Sequence, residues 1–299
     1  MWRRSYKGYK EKYEHDFDPS LALIGYGGTR SVKISQCAAH AELVKRIGVT
    51  SSLVVVVDDG EDEEDGDPVP ETGFTIWDAS LVLAKFLESH EGFTDDDREV
   101  KVAKEGADDA GAGSVSTVGE RVNARRRCFL ELGAGTGACS ILLADSFRKN
   151  ERTTNREFTF VVSDLEPVLA LLRHNVKQSA LDDCVDVRRL NWSERRRGKD
   201  ISELGYEEGF DLVFGADLAY TSNKGVIRNL ARTCEELPSD LFVMAFCTEH
   251  NPGAVEYFHE LVSKETFEVR TITNKDNVWP EMFLEDSDEF CILIMRRRK

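Results

Sequence analysis

At 299 residues the chain can bury one large core or two modest ones, and its hydrophobic fraction of 41% is that of an ordinary globular protein. With 39 Lys and Arg against 55 Asp and Glu, the formal net charge is −16. That argues against nucleic acid held by a bulk positive field; a basic partner would be attracted, but the charge reads first as a means of keeping the protein soluble.

In chain order, Met1–Phe17 is charged and aromatic with no apolar run behind it, unlike a signal peptide. Leu21–Ile24 and Val32–Ile34 flank Gly25-Tyr26-Gly27-Gly28-Thr29-Arg30 and read as a hairpin. Leu53–Val57 reads as a further strand; it is the longest apolar run and far too short to span a bilayer. Asp58 to Glu71 holds nine acidic residues and no basic one, so it reads as a solvated linker. From Asp78 onward, Leu81, Val82, Leu83, Phe86 and Leu87 give the spacing of an amphipathic helix. Gly92 to Arg127, rich in Asp, Gly, Ala and Ser, has no period and reads as a surface insertion. The domains expected are therefore an N-terminal extension (1–57), an acidic linker (58–73) and a main domain (74–299) carrying the insertion 92–127.

After Arg127 strands and helices alternate. The strands expected are Cys128–Leu132, Phe158–Val162, Val185–Leu190, Phe210–Gly215, Leu241–Cys247, Phe267–Thr273 and Phe290–Met295. The helices are Thr136–Phe147, Glu166–Ser179, Lys224–Leu237 and Ala254–Ser263. This order predicts an α/β fold: a Rossmann-like, mostly parallel sheet covered on both faces, closed by an antiparallel hairpin at one edge. The seven cysteines are scattered with no Cys-x-x-Cys pair, and the six histidines lack ligand spacing. That argues against disulfides and metal and for a reducing compartment.

In such a sheet ligands sit at the carboxyl ends of the strands. The first strand runs into Glu131-Leu132-Gly133-Ala134-Gly135-Thr136-Gly137, where glycines permit a sharp turn and close approach of a ligand. Gly133-x-Gly135-x-x-Ala138 also fits a dinucleotide fingerprint, but Glu131 would oppose a pyrophosphate and suits an amino group or sulfonium. Asp164 can take ribose hydroxyls or cap the helix behind it. Trp192 can lie on an adenine or sit in the core. Asp217, directly after an apolar strand, is a costly place for a charge unless something pairs with it, and Tyr220 can face the same pocket. Ser222 and Asn223 are better placed than Asp217 to cap the next helix.

These stretches, with Phe74 to Ala84, resemble the seven-strand S-adenosylmethionine methyltransferases, and within them the protein-lysine methyltransferases of family 16. The Trp77-Asp78-Ala79-x-x-x-Leu83 helix and the Asp217-x-x-Tyr220 motif are more specific than the glycine turn. The resemblance implies S-adenosyl-L-methionine as cofactor and a protein lysine as acceptor. Trp77 would close over its methionine end, and Glu131 would help hold its amino group. Gly133, Ala134, Gly135 and Gly137 would line it, and Asp164 would take the ribose. Trp192 and Ala216 would flank the adenine, with Asp217 and Tyr220 facing the methyl group and the incoming amine. No metal, nucleic acid or membrane is expected, and the chain is expected to be a cytoplasmic monomer, with the nucleus as a second compartment. Arg296-Arg297-Arg298-Lys299 resembles a short import patch but reads first as a solvated strand end. The competing readings are an arginine, histidine or small-molecule acceptor, an NAD-dependent oxidoreductase, and a non-catalytic binding module.

Overall fold

Short apolar strands separated by amphipathic helices fold into one seven-stranded sheet in the computed structural model. The structure describes residues 12–16, 31–35, 77–89, 126–154, 157–249, 251–273, 275–276 and 290–299. In chain order the elements are β1 (Lys12–Asp16), β2 (Ser31–Ser35), α1 (Asp78–Ser89), β3 (Arg127–Glu131), α2 (Ala138–Thr154), β4 (Phe158–Asp164) and α3 (Glu166–Gln178). They continue with β5 (Val185–Arg189), α4 (Arg197–Glu203), β6 (Leu212–Ala216), α5 (Lys224–Glu236), β7 (Leu241–Cys247), α6 (Pro252–Lys264), β8 (Phe267–Ile272) and β9 (Phe290–Arg297).

The strand order is β5-β4-β3-β6-β7-β9-β8. Strands β3 to β7 are parallel, and β9 runs antiparallel to both β7 and β8. The chain leaves β3 toward β4 and β5, then returns to β6 on the other side, so the switch point lies between β3 and β6. Helices α1, α2 and α3 cover one face, where Phe129, Phe147, Phe158, Phe160 and Phe214 pack edge to face or tilted. Helices α5 and α6 cover the other with Ile227, Leu230, Val255 and Phe258. Inner strands are nearly continuous buried runs and the two edges, β5 and β8, carry the exposed residues, as burial on both faces requires.

The closing strands pair antiparallel at one edge as expected, with β9 lying between β7 and β8. Other expectations change. Helix α4 was not legible: Arg197–Glu203 has a single large apolar residue, Ile201. The strand at Val32–Ile34 is present within β2, but its partner is Lys12–Asp16, with Lys12 opposite Ser35. Leu21–Ile24, Leu53–Val57, the acidic run 58–71 and the insertion up to residue 125 lie outside the described residues. The basic tail is not simply solvated. Arg297 donates to the carbonyls of Cys234, Glu235, Leu237 and Ser239 and sits over the Phe267 ring, while Arg298 donates to those of Phe267 and Ser263. Arg297 thus satisfies the open carbonyls at the end of α5.

Candidate active site

Four strand ends, those of β3, β4, β5 and β6, converge around the switch point. The loop after β3 strongly favours glycine at its turns, since Gly133, Gly135 and Gly137 have φ of 55°, 56° and 78°. Space is as restrictive as φ. A Cβ on Gly137 would come within 2.5 Å of Leu172, and one on Gly133 within 2.7 Å of Leu218 and 3.3 Å of the Trp192 ring.

Hydrogen bonds fix this loop to its neighbours. The Ala134 amide donates to the Ser163 carbonyl at 2.9 Å, and the Ser163 hydroxyl donates to the Glu131 carbonyl at 2.8 Å. Asn175, fully buried on α3, donates to the Thr136 carbonyl at 2.8 Å. Asp164, at the end of β4, accepts the Gly135 amide on Oδ2 and the Leu165 amide on Oδ1, both at 2.7 Å. The cap reading of Asp164 is therefore corrected: the helix N-cap is Leu165, with no side-chain cap, and the carboxylate instead ties β4 to the glycine loop.

Glu131 is 2% exposed, and its Oε2 accepts the Ser140 amide at 3.1 Å, near the start of α2. Burial pushes its carboxyl up to about 8, the Asp164 charge adds to the rise, and the Ser140 bonds oppose it. Its first partner is thus the open N-terminal end of a helix.

Trp192, half-buried just after β5, rests against Gly133 and Leu218, so the ends of β3, β5 and β6 meet there. Its indole N–H is buried with no hydrogen-bond partner among the described residues. Asp217 is 7% exposed and has a φ of 54°, a left-handed conformation rare for a residue with a side chain. Its amide donates to the Ala245 carbonyl at 2.8 Å and its Oδ1 accepts the Cys247 amide at 2.7 Å, fastening β6 to β7. The turn then carries the chain past buried Leu218 and Ala219 to Tyr220, whose side chain is 42% exposed. Asn251 donates to the Tyr220 carbonyl at 3.3 Å. Asn223 caps α5 by accepting the Gly225 amide, so Asp217 is not that helix's cap.

The structure joins Gly133, Ala134, Gly135, Asp164 and Trp192 by direct contact. Ala216 is half-buried at the end of β6. Trp77, also half-buried, lies at the start of α1, its carbonyl accepting the Ser80 amide and hydroxyl. Sequence reasoning missed the parts that Asn175 and Ser163 play in holding the glycine loop. Asn175 carried a signal, a polar residue on the apolar stripe of α3 that also holds Leu171, Leu172 and Val176.

Residues 62–265, about two thirds of the chain, match the model of a family described as lysine methyltransferase. A stretch of 92 residues is 34% identical to the protein-lysine N-methyltransferase EFM2 of Saccharomyces cerevisiae, covering 31% of this chain and 21% of that protein. Over 148 residues the chain is 27% identical to the protein N-lysine methyltransferase METTL21A of Xenopus tropicalis, covering 48% and 46%. The chain thus spans less than half the length of either relative. Similar solved structures include an O-methyltransferase family protein from Burkholderia thailandensis, with a TM-score of 0.39, 14% identity, and 59% and 52% of the two chains covered. Another is a geranyl diphosphate methyltransferase in complex with GPP and sinefungin, with a TM-score of 0.37, 10% identity, and 58% and 71% covered.

Proposed function

We propose a function from one premise: the chain belongs to the lysine methyltransferase family. It uses S-adenosyl-L-methionine to methylate a lysine side chain of another protein. Both relatives named above are protein-lysine methyltransferases, which supports a protein acceptor. The net charge of −16 suits a basic one. Among the described residues no helix is long and apolar enough to cross a membrane. The enzyme is further proposed to act as a monomer in the cytoplasm and also in the nucleus.

The residues at the switch point fit the cofactor. A carboxylate has about four lone-pair sites, so Asp164 can accept ribose hydroxyls alongside the Gly135 and Leu165 amides. The Trp192 indole N–H is a buried donor in need of an acceptor, and its ring and Ala216 offer apolar surface to an adenine. Glu131 and the backbone of Gly133, Ala134, Gly135 and Gly137 serve the amino-acid end, and Trp77 closes over it. Bound there, the cofactor supplies a methyl group on a sulfonium, already a good leaving group, so the work of the chain is positioning.

The observation that carries the reading is Asp217, a buried carboxylate in a left-handed conformation at the strand end beside the switch point. Strain of this kind concentrates where geometry serves chemistry. A lysine amine has a pKa of about 10.4 in water and must lose its proton to attack, and transfer into a dry pocket favours the neutral form. Asp217 accepts a hydrogen bond from that amine and turns its lone pair toward the methyl group, while the Cys247 amide holds the carboxylate in one orientation. Tyr220, at the exposed rim, supplies an aromatic wall and a second polar contact to the acceptor.

The test is titration with S-adenosylhomocysteine, with NAD as control, followed by transfer of labelled methyl groups into cell extract. Binding of the first alone, with label recovered as methyl-lysine, supports the reading. Binding of NAD alone, or full transfer by Asp217→Ala, overturns it.

A further inference from the structure

The turn from β5 into α4 is held by side chains at nearly every peptide group. Asp200, 1% exposed, accepts the Asn191 amide on Oδ2 at 2.9 Å. The same carboxylate lies 3.6 Å from Arg189 Nε and 3.7 Å from Arg196 Nε. The Asn191 side chain accepts the Ser193 amide at 2.8 Å. Arg197, 5% exposed, donates through Nη1 to the Trp192 carbonyl at 3.2 Å and through Nη2 to Glu236 at 2.7 Å. The Arg197 bond holds the Glu236 carboxyl below the usual carboxylate range. Residues 191, 192 and 193 therefore each have a backbone group fixed by a side chain, and Arg197 anchors the middle one to the end of α5.

Burying Asp200 and Arg197 costs desolvation that a short surface helix does not require. The residue whose carbonyl Arg197 holds is Trp192, whose ring lies beside Gly133 of the glycine loop. We infer that Arg197 and Asp200 are positioning residues that hold Trp192 as the adenine wall of the cofactor site. The inference rests on the methyltransferase reading above. Neither residue touches the cofactor: each acts on the peptide groups that set the height and tilt of the indole, and Glu236 fixes Arg197 from behind.

A double-mutant cycle on S-adenosylhomocysteine affinity tests this, using wild type, Arg197→Met, Trp192→Ala and the pair. Methionine replaces the aliphatic stem of Arg197 and leaves Glu236, 45% exposed, in water. Arg197→Met is expected to bind roughly tenfold more weakly. Adding it to Trp192→Ala is expected to cost nothing more, because the wall it positions is already gone. Arg197→Lys, which can reach one of the two acceptors, is expected to recover part of the loss. Should Arg197→Met fail to fold, Glu236→Ala makes the same cycle from the exposed end, with a smaller expected loss of about threefold.

Unchanged affinity in Arg197→Met, or a loss that persists in full in the Trp192→Ala background, overturns the inference while the methyltransferase reading stands. Absence of binding by the wild type overturns both.

Discussion

Replacing Glu131 with Gln tests the acid beneath the glycine loop. Burial pushes the carboxyl up to about 8 from its ordinary 4.5. Between those values the unfolded chain has released a proton that the folded chain retains, so stability falls as pH rises through that window. The slope is about 1.4 kcal/mol per pH unit, so by pH 7 roughly 3 kcal/mol is lost, and by pH 8 roughly 5 kcal/mol. Below the unfolded value the folded protein pays nothing, because both states are protonated. Gln keeps an acceptor for the Ser140 amide and does not titrate. Urea unfolding of wild type and Glu131→Gln from pH 5 to 9 is therefore expected to show the variant gaining on the wild type by about 1.4 kcal/mol per unit up to pH 8, then no further. A gap that stays constant from pH 5 to 8 would refute an acid kept neutral by burial. The same residue bears on cofactor binding. If Glu131 receives the ammonium of the cofactor, binding favours its ionised form and releases a proton. Affinity for S-adenosylhomocysteine then rises with pH below 8, and this dependence is lost in the Gln variant.

The other predictions concern neighbouring groups. Gly137→Ala combines a positive φ with a Cβ 2.5 Å from Leu172, so it is expected to lower stability by about 2 kcal/mol or more in thermal unfolding. Asp217→Asn keeps an acceptor for the Cys247 amide and tolerates the left-handed φ, so unfolding is expected to shift by no more than about 1 kcal/mol while methyl transfer falls on the order of 100-fold. A variant with full activity removes the carboxylate from the chemistry. Tyr220→Phe, on an exposed ring, is expected to change stability by less than about 0.5 kcal/mol, so reduced transfer at normal S-adenosylhomocysteine affinity assigns the effect to the hydroxyl.

Local pattern carried most of the main sheet. Strands from β3 onward were legible because each is a short apolar run bounded by turn residues, and Asn223 was legible as a cap because its position fixes its role. The glycine turn announced the loop, yet the bonds that shape it come from Ser163, Asp164 and Asn175 on other elements, and nothing local indicates those pairings. Asp164 shows the difference: its place before a helix suggested a cap, and the folded loop offered it the Gly135 amide instead. Helix α4 escaped because its residues serve a buried polar network rather than an apolar stripe. The partner of β2 escaped because strand pairing is a long-range choice that the nearby glycine-rich turn did not determine.

The place of β9 bears on how the protein is made. Residues emerge from the ribosome in order, at a few to about 20 per second, and earlier segments begin to fold before later ones appear. Most of the sheet can assemble in that order, from the β3 and β4 pair outward to β7. Strand β8 cannot, because its neighbour is β9, which is translated afterwards. Until β9 threads into place, the far side of β7 is an uncovered edge flanked by Phe242, Val243 and Met244, a template for pairing with another nascent chain. Late arrival of one interior strand thus leaves that edge open throughout the interval between the synthesis of β7 and that of β9.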